Sequence, residues 1–282
     1  MFENLEKKGY EKYLEEHPFT DFLNIRISDY KKNHKISKIS KKIKSDIWSY
    51  VSPNFKAPYP IELDDLIRLH YLVTSRRVTT ILEFGVGAST FILDHALAEN
   101  KKKYKSFVSK NMRRANAFEL HSVDNDKKWI KHVRSKYELS NTFLYFENCR
   151  MGTFGDRICT YYDRIPNICP DLIYLDAPHQ FSALGQIRGI STRHLDRVPM
   201  AADILSIEHF LLPGTLIVVD GRTANARFLE RNFQRNWKYT INPNYDQHFF
   251  ELVEKPLGYI NSDQIQFSKH GLKEPNLYDQ HA

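Results

Sequence analysis

Four acidic residues end short apolar segments of the chain, and their side chains could do chemistry together. They are Glu83, Asp124, Asp176 and Asp220. Each segment is rich in β-branched and aliphatic residues and has the length of a buried strand. A carboxylate at the end of a strand can accept two hydrogen bonds from a ribose diol, and paired carboxylates can bind a divalent cation. These four residues are therefore the first candidates for a binding or catalytic site.

A Gly-x-Gly turn follows the first of these acids. Gly85 and Gly87 separate the strand-like segment Thr79–Phe84 from Ala88–Leu97, whose apolar residues have helical spacing. Such a turn lets a ligand lie against backbone N–H groups at a helix N-terminus. Thr90 stands where a dinucleotide motif has its third glycine, and no Gly-Lys-Ser/Thr follows, so neither that motif nor a P-loop is present. By itself, the pattern fits a ligand-binding turn and a tight structural turn equally well.

Strand-like and helix-like segments alternate along most of the chain. This alternation predicts an α/β fold with a mostly parallel sheet and helices on both faces. Trp237–Ile241 and His248–Glu254 are predicted as an antiparallel hairpin that closes the sheet. Ligands of such sheets bind beyond the carboxyl ends of the strands, so the four acids should meet at one edge. Residues 99–114 are interpreted as a surface loop or a mobile helix, and residues 148–156 and 180–200 as loops.

Composition divides the chain into three parts. Residues 1–57 are polar and Lys-rich and are predicted as a helical appendage, in which Lys31–Lys44 has isoleucines at helical spacing. This basic segment either binds a membrane surface or a partner, or packs its isoleucines on the main domain, and the second interpretation is favoured. Residues 58–255 are predicted as a catalytic domain and the polar residues 256–282 as a C-terminal tail.

The charge balance and the cysteines restrict the classes of function. The 282 residues carry a formal charge of +7, and much of the excess lies in Lys31–Lys44 and Lys101–Arg114. Such segments can bind nucleic acid, anionic glycans or membranes, but a solvated surface is the favoured interpretation. Three cysteines without a Cys-x-x-Cys pair argue against a zinc site and a disulfide framework. With no apolar signal segment or membrane span, a cytoplasmic protein is expected.

Several segments are similar to the motifs of one enzyme family. Ile81–Thr90 resembles the first motif of class I S-adenosylmethionine-dependent methyltransferases, and Ser122–Asp124 resembles their second-strand acid. Asp171–Asp176 is similar to their fourth-strand motif, and Leu212–Asp220 is similar to their fifth-strand segment. The closing hairpin resembles the antiparallel seventh strand of that fold. The similarity covers roughly residues 58–255 and implies a Rossmann-like methyltransferase sheet.

The resemblance also implies a binding site for S-adenosyl-L-methionine. The two glycines of the turn would let its methionine part pass close to the backbone, and Glu83 would lie near its amino group. Asp124, with Asp126 as the reserve candidate, would hold the ribose, the loop at residues 148–151 would border the adenine, and Asp176 would sit beside the methyl donor. The residues implied for cofactor binding are Glu83, Gly85, Gly87, Ser89, Thr90, Asp124, Asn125, Arg150, Met151 and Asp176.

The sequence Asp176-Ala177-Pro178-His179 departs from one branch of this family. Enzymes that methylate amino groups of nucleic acids have Asn/Asp-Pro-Pro-aromatic at this position. Here Ala177 replaces the first proline and His179 replaces the aromatic residue. The departure argues against methylation of DNA or RNA and favours the O-methyltransferases, which include catechol and sugar enzymes.

That group often binds a divalent cation through acids after its fourth and fifth strands, which corresponds to Asp176 and Asp220. The usual third ligand is an Asn directly after the second acid, but Gly221 stands there, and Asn225 would need a different geometry. Metal dependence is therefore disfavoured. Without a metal, His179 is the natural general base, because its ordinary pKa lies near neutral. The alternative for His179 is a loop histidine that caps the strand end.

The acceptor is assigned to the segments after the fourth and fifth strands. Arg222 could clamp an anionic group, and His179, Arg222 and Asn225 are the predicted substrate-binding residues. Arginines at positions 188, 193 and 197 could add to an anionic pocket, although a solvated loop is the default for each one. The expected function is methyl transfer to an oxygen of a small or glycan-like acceptor, with His179, Asp176 and Asp220 as catalytic residues. The alternatives are a non-catalytic S-adenosylmethionine- or nucleoside-binding protein, and a nucleic-acid methyltransferase that uses the basic segments.

Overall fold

The structure is a computed structural model that describes residues 1–20, 23, 62–242 and 245–271. The predicted basic helix at 31–44 and the predicted start of the catalytic domain at residue 58 lie outside the described residues.

Seven strands form one sheet, and two further strands form a separate hairpin. In chain order the strands are β1 (Thr80–Phe84), β2 (Glu119–Asp124), β3 (Thr142–Phe146), β4 (Cys149–Phe154), β5 (Arg157–Tyr162), β6 (Leu172–Leu175), β7 (Leu216–Asp220), β8 (Trp237–Asn242) and β9 (Gln247–Leu252). The order across the large sheet is β3-β2-β1-β6-β7-β9-β8, and β4 and β5 form the two-stranded sheet. The five strands from β3 to β7 in this order are parallel, and β9 runs antiparallel to β7 and β8. The predicted α/β fold with a mostly parallel sheet and a closing hairpin is confirmed.

Helices cover both faces of this sheet. The described helices are α1 (Glu3–Lys8), α2 (Tyr10–Glu16), α3 (Leu63–Ser75), α4 (Ala88–Asn111), α5 (Lys127–Lys136), α6 (Asp203–Ile207), α7 (Thr223–Glu230) and α8 (Gly258–His270). One core contains apolar residues of α1 to α5, and the second contains residues of α6, α7 and the β4–β5 hairpin. Strand residues alternate between the two cores, so Ile81 faces the first and Leu82 faces the second. In the described part of the chain, no helix is both long and apolar enough to cross a membrane.

The two N-terminal helices are part of the first core. Leu5, Leu14 and Phe19 have no solvent-exposed surface, and Phe2 is 4% exposed. These side chains pack with residues of α3 and α4 in one continuous cluster. The first twenty residues therefore contribute core side chains to the domain that carries the sheet, although the sequence suggests an appendage.

Two segments are more regular than the sequence indicates. Helix α4 continues to Asn111, which decides between the surface loop and the mobile helix expected at residues 99–114. Its later turns bury Tyr104 and Val108 against Phe267 of α8. Helix α8 lies within the segment expected to be a polar tail. The contact joins residues more than 150 positions apart, so local sequence patterns could not show it.

The loop expected at residues 148–156 is instead the first half of the β4–β5 hairpin. Six residue pairs connect its strands, from Cys149 opposite Tyr162 to Phe154 opposite Arg157. Cys149 and Cys159 are both 1% exposed and belong to the second core. The turn at Gly155 and Asp156, both with positive φ, closes the hairpin.

Candidate functional site

The Gly-x-Gly turn lies between the carboxyl end of β1 and the first turn of α4. Gly85 has φ of +106°, and a Cβ atom there would lie 3.2 Å from the backbone C and O of Asp176. Glycine is required at this position by the backbone conformation and by the close approach of the chain after β6. Gly87 differs, because a Cβ there would meet only the Ser89 hydroxyl at 4.0 Å. Its side-chain position therefore faces open space at the N-terminus of α4.

Glu83 organises this turn from inside the protein. Its carboxylate accepts hydrogen bonds from the hydroxyls of Ser89 (2.7 Å), Thr90 (2.8 Å) and Ser122 (2.6 Å). Ser122 is its neighbour across the β1–β2 register, and the other two belong to the first turn of α4. Glu83 has no exposed surface, and this burial raises its pKa to about 7. Glu83 therefore stabilises the turn through these hydrogen bonds. Its contact with a ligand amino group stays a prediction.

Asp124 connects the end of β2 to the same turn. One carboxylate oxygen accepts the backbone N–H of Val86 at 2.8 Å, and the other accepts the N–H of Asp126 at 2.7 Å. The residue is 8% exposed, and burial raises its pKa to about 6. A carboxylate has up to four lone-pair positions, so it can also accept from a ligand hydroxyl. Asp126 is the N-cap of α5 and accepts the N–H groups of Lys128 and Trp129, as the sequence suggests for it.

Asn125 reaches from β2 to the loop after β6. Its amide contacts the backbone oxygen and the hydroxyl of Ser182, both at 3.3 Å. The loop continues alongside β4, where Leu184 exchanges backbone hydrogen bonds with Cys149 and Met151 at 2.8 Å. The ends of β1, β2 and β6 and the start of β4 therefore surround one region.

Asp176 and Arg222 join the ends of β6 and β7. The Arg222 guanidinium donates to the backbone oxygens of Asp176 (2.8 Å) and Pro178 (3.0 Å), and its Nε lies 3.4 Å from the Asp176 carboxylate. The Asp176 side chain is 54% exposed. Partial desolvation raises its pKa, although Arg222 opposes that shift. Within the described residues, Nη1 of Arg222 is a buried donor without a hydrogen-bond partner.

Asp220 has different partners from Asp176. Its carboxylate accepts the Tyr174 hydroxyl at 2.7 Å, and burial raises its pKa. Asp176, in contrast, pairs with Arg222. Among the described residues, these two acids do not belong to a set of three or more His, Cys, Asp or Glu ligands that converge on one point. The two possible metal ligands are therefore engaged separately, and the expectation against a metal stays a prediction.

His179 begins the loop after β6. Its Nδ1 accepts the N–H of Phe181 at 3.3 Å, and its backbone oxygen accepts both the N–H and the hydroxyl of Ser182. Burial lowers its pKa, and the charge of Arg222 adds to that effect. His179 is therefore neutral near pH 7, as a general base must be, and it also shapes the turn as the alternative interpretation requires.

Asn225 is occupied elsewhere. It has no exposed surface, and its amide donates to the backbone oxygen of Ala201 and accepts the Ala201 N–H, both at 3.1 Å. The expectation that it binds substrate disagrees with this placement. Helix α7 places its first turn beside the chain before α6, and the Asn225 amide satisfies the buried N–H and carbonyl of Ala201 there.

Other predicted residues line the edges of this region. Arg150 is exposed and pairs with Asp163 at 2.7 Å, while Met151 packs partly buried against the second core. Arg197 donates to the Ser191 backbone oxygen, and the arginines at 188 and 193 are exposed. Within the described residues, neither of these two exposed arginines forms a hydrogen bond with a residue around Asp176.

The sequence offers little sign of one polar group behind the site. Tyr162 is 5% exposed, and its hydroxyl has no partner among the described residues. Its backbone N–H donates to Asp203, a 3% exposed acid whose pKa burial raises to about 7. Both residues belong to segments that carry no motif, and only the acid at the start of the apolar helix α6 could have drawn attention to them.

Comparison with known proteins gives similarities of structure only. No protein-family model matches this sequence, and neither does any curated protein. An O-methyltransferase from Bacillus cereus in complex with SAH is 14% identical, with 77% of this chain and 91% of that chain covered and a TM-score of 0.36. The O-methyltransferase TomG from Streptomyces achromogenes, in complex with SAM, is 14% identical, with 78% and 90% covered and a TM-score of 0.37. An SAH-bound methyltransferase from Podospora anserina is 12% identical, with 76% and 96% covered and a TM-score of 0.37.

Proposed function

We propose that the protein transfers a methyl group from S-adenosylmethionine to an oxygen of a small or glycan-like acceptor. The observation that carries this proposal is the Asp124 carboxylate, which is held at 2.8 Å against the N–H of Val86 inside the Gly-x-Gly turn. A buried acid that can accept a ribose diol is thereby fixed beside an open helix N-terminus.

The residues of this chain fit the cofactor at two points. A side chain at position 87 would fill the open space beyond Gly87. Because glycine has none, the methionine part can lie against the backbone there. The remaining lone pairs of Asp124 can accept the ribose hydroxyls. Ser89 and Thr90 support the turn through Glu83, while Asn125 and Met151 border the region toward the adenine side.

Bound S-adenosylmethionine would supply a methyl group that is already activated for transfer. The protein then has to align the acceptor and remove a proton where the acceptor needs it. Arg222 offers an unused Nη1 donor to an acceptor oxygen or an anionic group. His179 is neutral, and its Nδ1 would receive the proton after it releases the N–H of Phe181.

An oxygen acceptor is favoured over a nucleic-acid base for two reasons. Ala177 and His179 replace the residues that would hold and stack a base amine. In addition, Arg114, which ends the basic segment from Lys101, forms a salt bridge with Asp171 and is only 6% exposed. That guanidinium is committed to the fold and cannot contact phosphate without breaking the pair.

Calorimetry with S-adenosylmethionine and the full-length protein tests the first half of the proposal. We expect saturable binding of one equivalent, and no binding at all would reject the function. Methyl transfer is then measured over a panel of catechols, sugars, hydroxy acids and short DNA and RNA. Turnover of a hydroxyl acceptor is expected; binding without any turnover would instead support a cofactor-binding protein without catalysis.

The role of His179 can be separated from cofactor binding. His179→Ala should lower turnover by about 10²-fold or more if the imidazole acts as general base, with unchanged affinity for S-adenosylmethionine. His132→Ala changes an exposed histidine of α5 and serves as the control. Full activity of His179→Ala would return this histidine to a purely structural role in its loop.

A further inference from the structure

Three helical segments bring histidines and a glutamate together on the first-core face of the sheet. His17 directly follows α2, His70 lies in α3, and His95 and Glu99 are one turn apart in α4. One ligand atom from each of His17, His70 and Glu99 lies within 4.8 Å of the others. His95 lies about two helical turns after the Gly-x-Gly turn, a distance of roughly 12 Å along the axis of α4. The cluster is therefore separate from the proposed methyl-transfer site.

The atoms that face one another in this cluster are those that bind metals. Nδ1 of His17 lies 2.8 Å from a Glu99 carboxylate oxygen, and Nε2 of His70 lies 3.0 Å from Nδ1 of His95. Nδ1 of His95 is 3.9 Å from the Glu99 carboxylate. A tetrahedral Zn²⁺ with bonds of about 2.0–2.1 Å separates its ligand atoms by roughly 3.3 Å. Outward movements of the two close pairs and inward movements of the more distant atoms would create that spacing.

The hydrogen bonds around His70 point its Nε2 lone pair at the cluster. The Thr74 hydroxyl donates to backbone oxygens of α3, so the Tyr13 hydroxyl must donate to Thr74 (3.1 Å) for both contacts to be made. The Tyr13 oxygen, 2.7 Å from Nδ1 of His70, then accepts a hydrogen bond from the N–H of that nitrogen. His70 consequently keeps Nε2 unprotonated. A histidine that donates from one ring nitrogen and binds with the other has the arrangement usual for metal ligands.

The surroundings suit a closed, structural site. His70 has no exposed surface, and the ring of Phe19, also fully buried, packs on it at 4.8 Å between centroids. The side chains of His17, His95 and Glu99 are 22%, 21% and 33% exposed, so an ion could enter from that side. Three imidazoles and one carboxylate are a donor set for Zn²⁺ rather than for Mg²⁺ or Ca²⁺, which prefer oxygen.

We propose that His17, His70, His95 and Glu99 form a structural Zn²⁺ site that fastens the N-terminal helices to α3 and α4. The cysteine pattern of the sequence argues against zinc, but this site uses no cysteine. Its ligands come from three separate stretches of chain, so no spacing motif reveals it. The site does not depend on the proposed methyl transfer.

The experiment uses tag-free, full-length protein that has been stripped of metal with a chelator and dialysed. Zn²⁺ alone is then added, and binding is followed by calorimetry, by metal content after gel filtration and by thermal unfolding. We expect one Zn²⁺ per chain and a rise of the unfolding temperature with Zn²⁺ concentration, because the ion binds the folded state. Replacement by Co²⁺ should give the visible absorption of a tetrahedral complex.

Two variants and one control decide whether these residues are the ligands. His17→Ala and Glu99→Gln change partly exposed side chains, so the fold should persist, and each should weaken Zn²⁺ binding by at least about 10-fold. His132→Ala removes an exposed histidine elsewhere and should bind Zn²⁺ like the parent. The proposal is overturned if the parent protein binds no Zn²⁺, or if His17→Ala and Glu99→Gln bind it as tightly as His132→Ala does.

Discussion

Asp124 accepts the backbone N–H of Val86 at 2.8 Å, and this bond links the second strand to the glycine turn after the first. The second oxygen of the same carboxylate accepts the N–H of Asp126, so the side chain is fixed before any ligand arrives. A pre-formed acceptor costs little ordering free energy when a ribose binds to it.

Replacement of Asp124 by Asn should weaken S-adenosylmethionine binding. The amide keeps the size of the side chain, but it removes the charge and one of the two acceptors that hold the turn. Hydrogen bonds to a charged group contribute about 1.5–3 kcal/mol, which corresponds to roughly 10- to 100-fold in affinity by calorimetry. Asp126→Asn is the matched control, since Asn caps a helix as well as Asp does. If Asp124→Asn binds S-adenosylmethionine as tightly as the parent protein, Asp124 does not belong to the cofactor site.

The two glycines of the turn should respond differently to alanine. Gly85→Ala forces a Cβ to 3.2 Å from the Asp176 backbone at φ of +106°, so we expect a loss of about 1–3 kcal/mol in unfolding free energy. Gly87 has extended backbone and open space, so Gly87→Ala should change stability by less than about 0.5 kcal/mol. Its added methyl group should nevertheless lower cofactor affinity. Urea unfolding and calorimetry on both variants test this; normal cofactor affinity in Gly87→Ala would place the ligand elsewhere.

Glu83 should make stability depend on pH. Burial raises its pKa from 4.5 to about 7, so between these values the folded state keeps a proton that the unfolded state has lost. Raising the pH through this window therefore lowers stability, by up to about 3 kcal/mol from this group. Glu83→Gln cannot titrate at this position. Between about pH 5 and pH 7, its unfolding free energy should therefore fall less steeply with pH than that of the parent protein. Identical slopes would mean that Glu83 keeps an ordinary pKa.

Asn225 should act on stability rather than on catalysis. Both ends of its buried amide bond to Ala201, so Asn225→Ala leaves a buried N–H and a buried carbonyl without partners. We expect a loss of about 1–3 kcal/mol in unfolding free energy. Under conditions where the variant is folded, the Michaelis constant for the acceptor should not change. An increase in that constant without a loss of stability would instead assign Asn225 to the acceptor site.

The residue patterns alone predicted the sheet and the edge at which its four acidic residues lie. Glu83, Asp124, Asp176 and Asp220 could be assigned to one side of the molecule because parallel strands present their carboxyl ends together. The glycine turn and the N-cap at Asp126 were likewise readable, since both depend on residues within a few positions of each other. The periodicity of a helix or strand and the residues of a turn depend only on neighbouring positions, so the sequence is enough to predict them.

Only the tertiary structure decided which of these side chains remain available. It committed Glu83 to three hydroxyls, Asn225 to Ala201 and Asp220 to Tyr174. It also brought His17 beside Glu99, 82 positions later in the chain. Hydrogen-bond partners and ion-binding clusters depend on distances between segments that are remote in sequence, and those distances are set by packing of the helices on the sheet. The physical reason is that a side chain's chemistry follows from its residue type, whereas its partners follow from the fold.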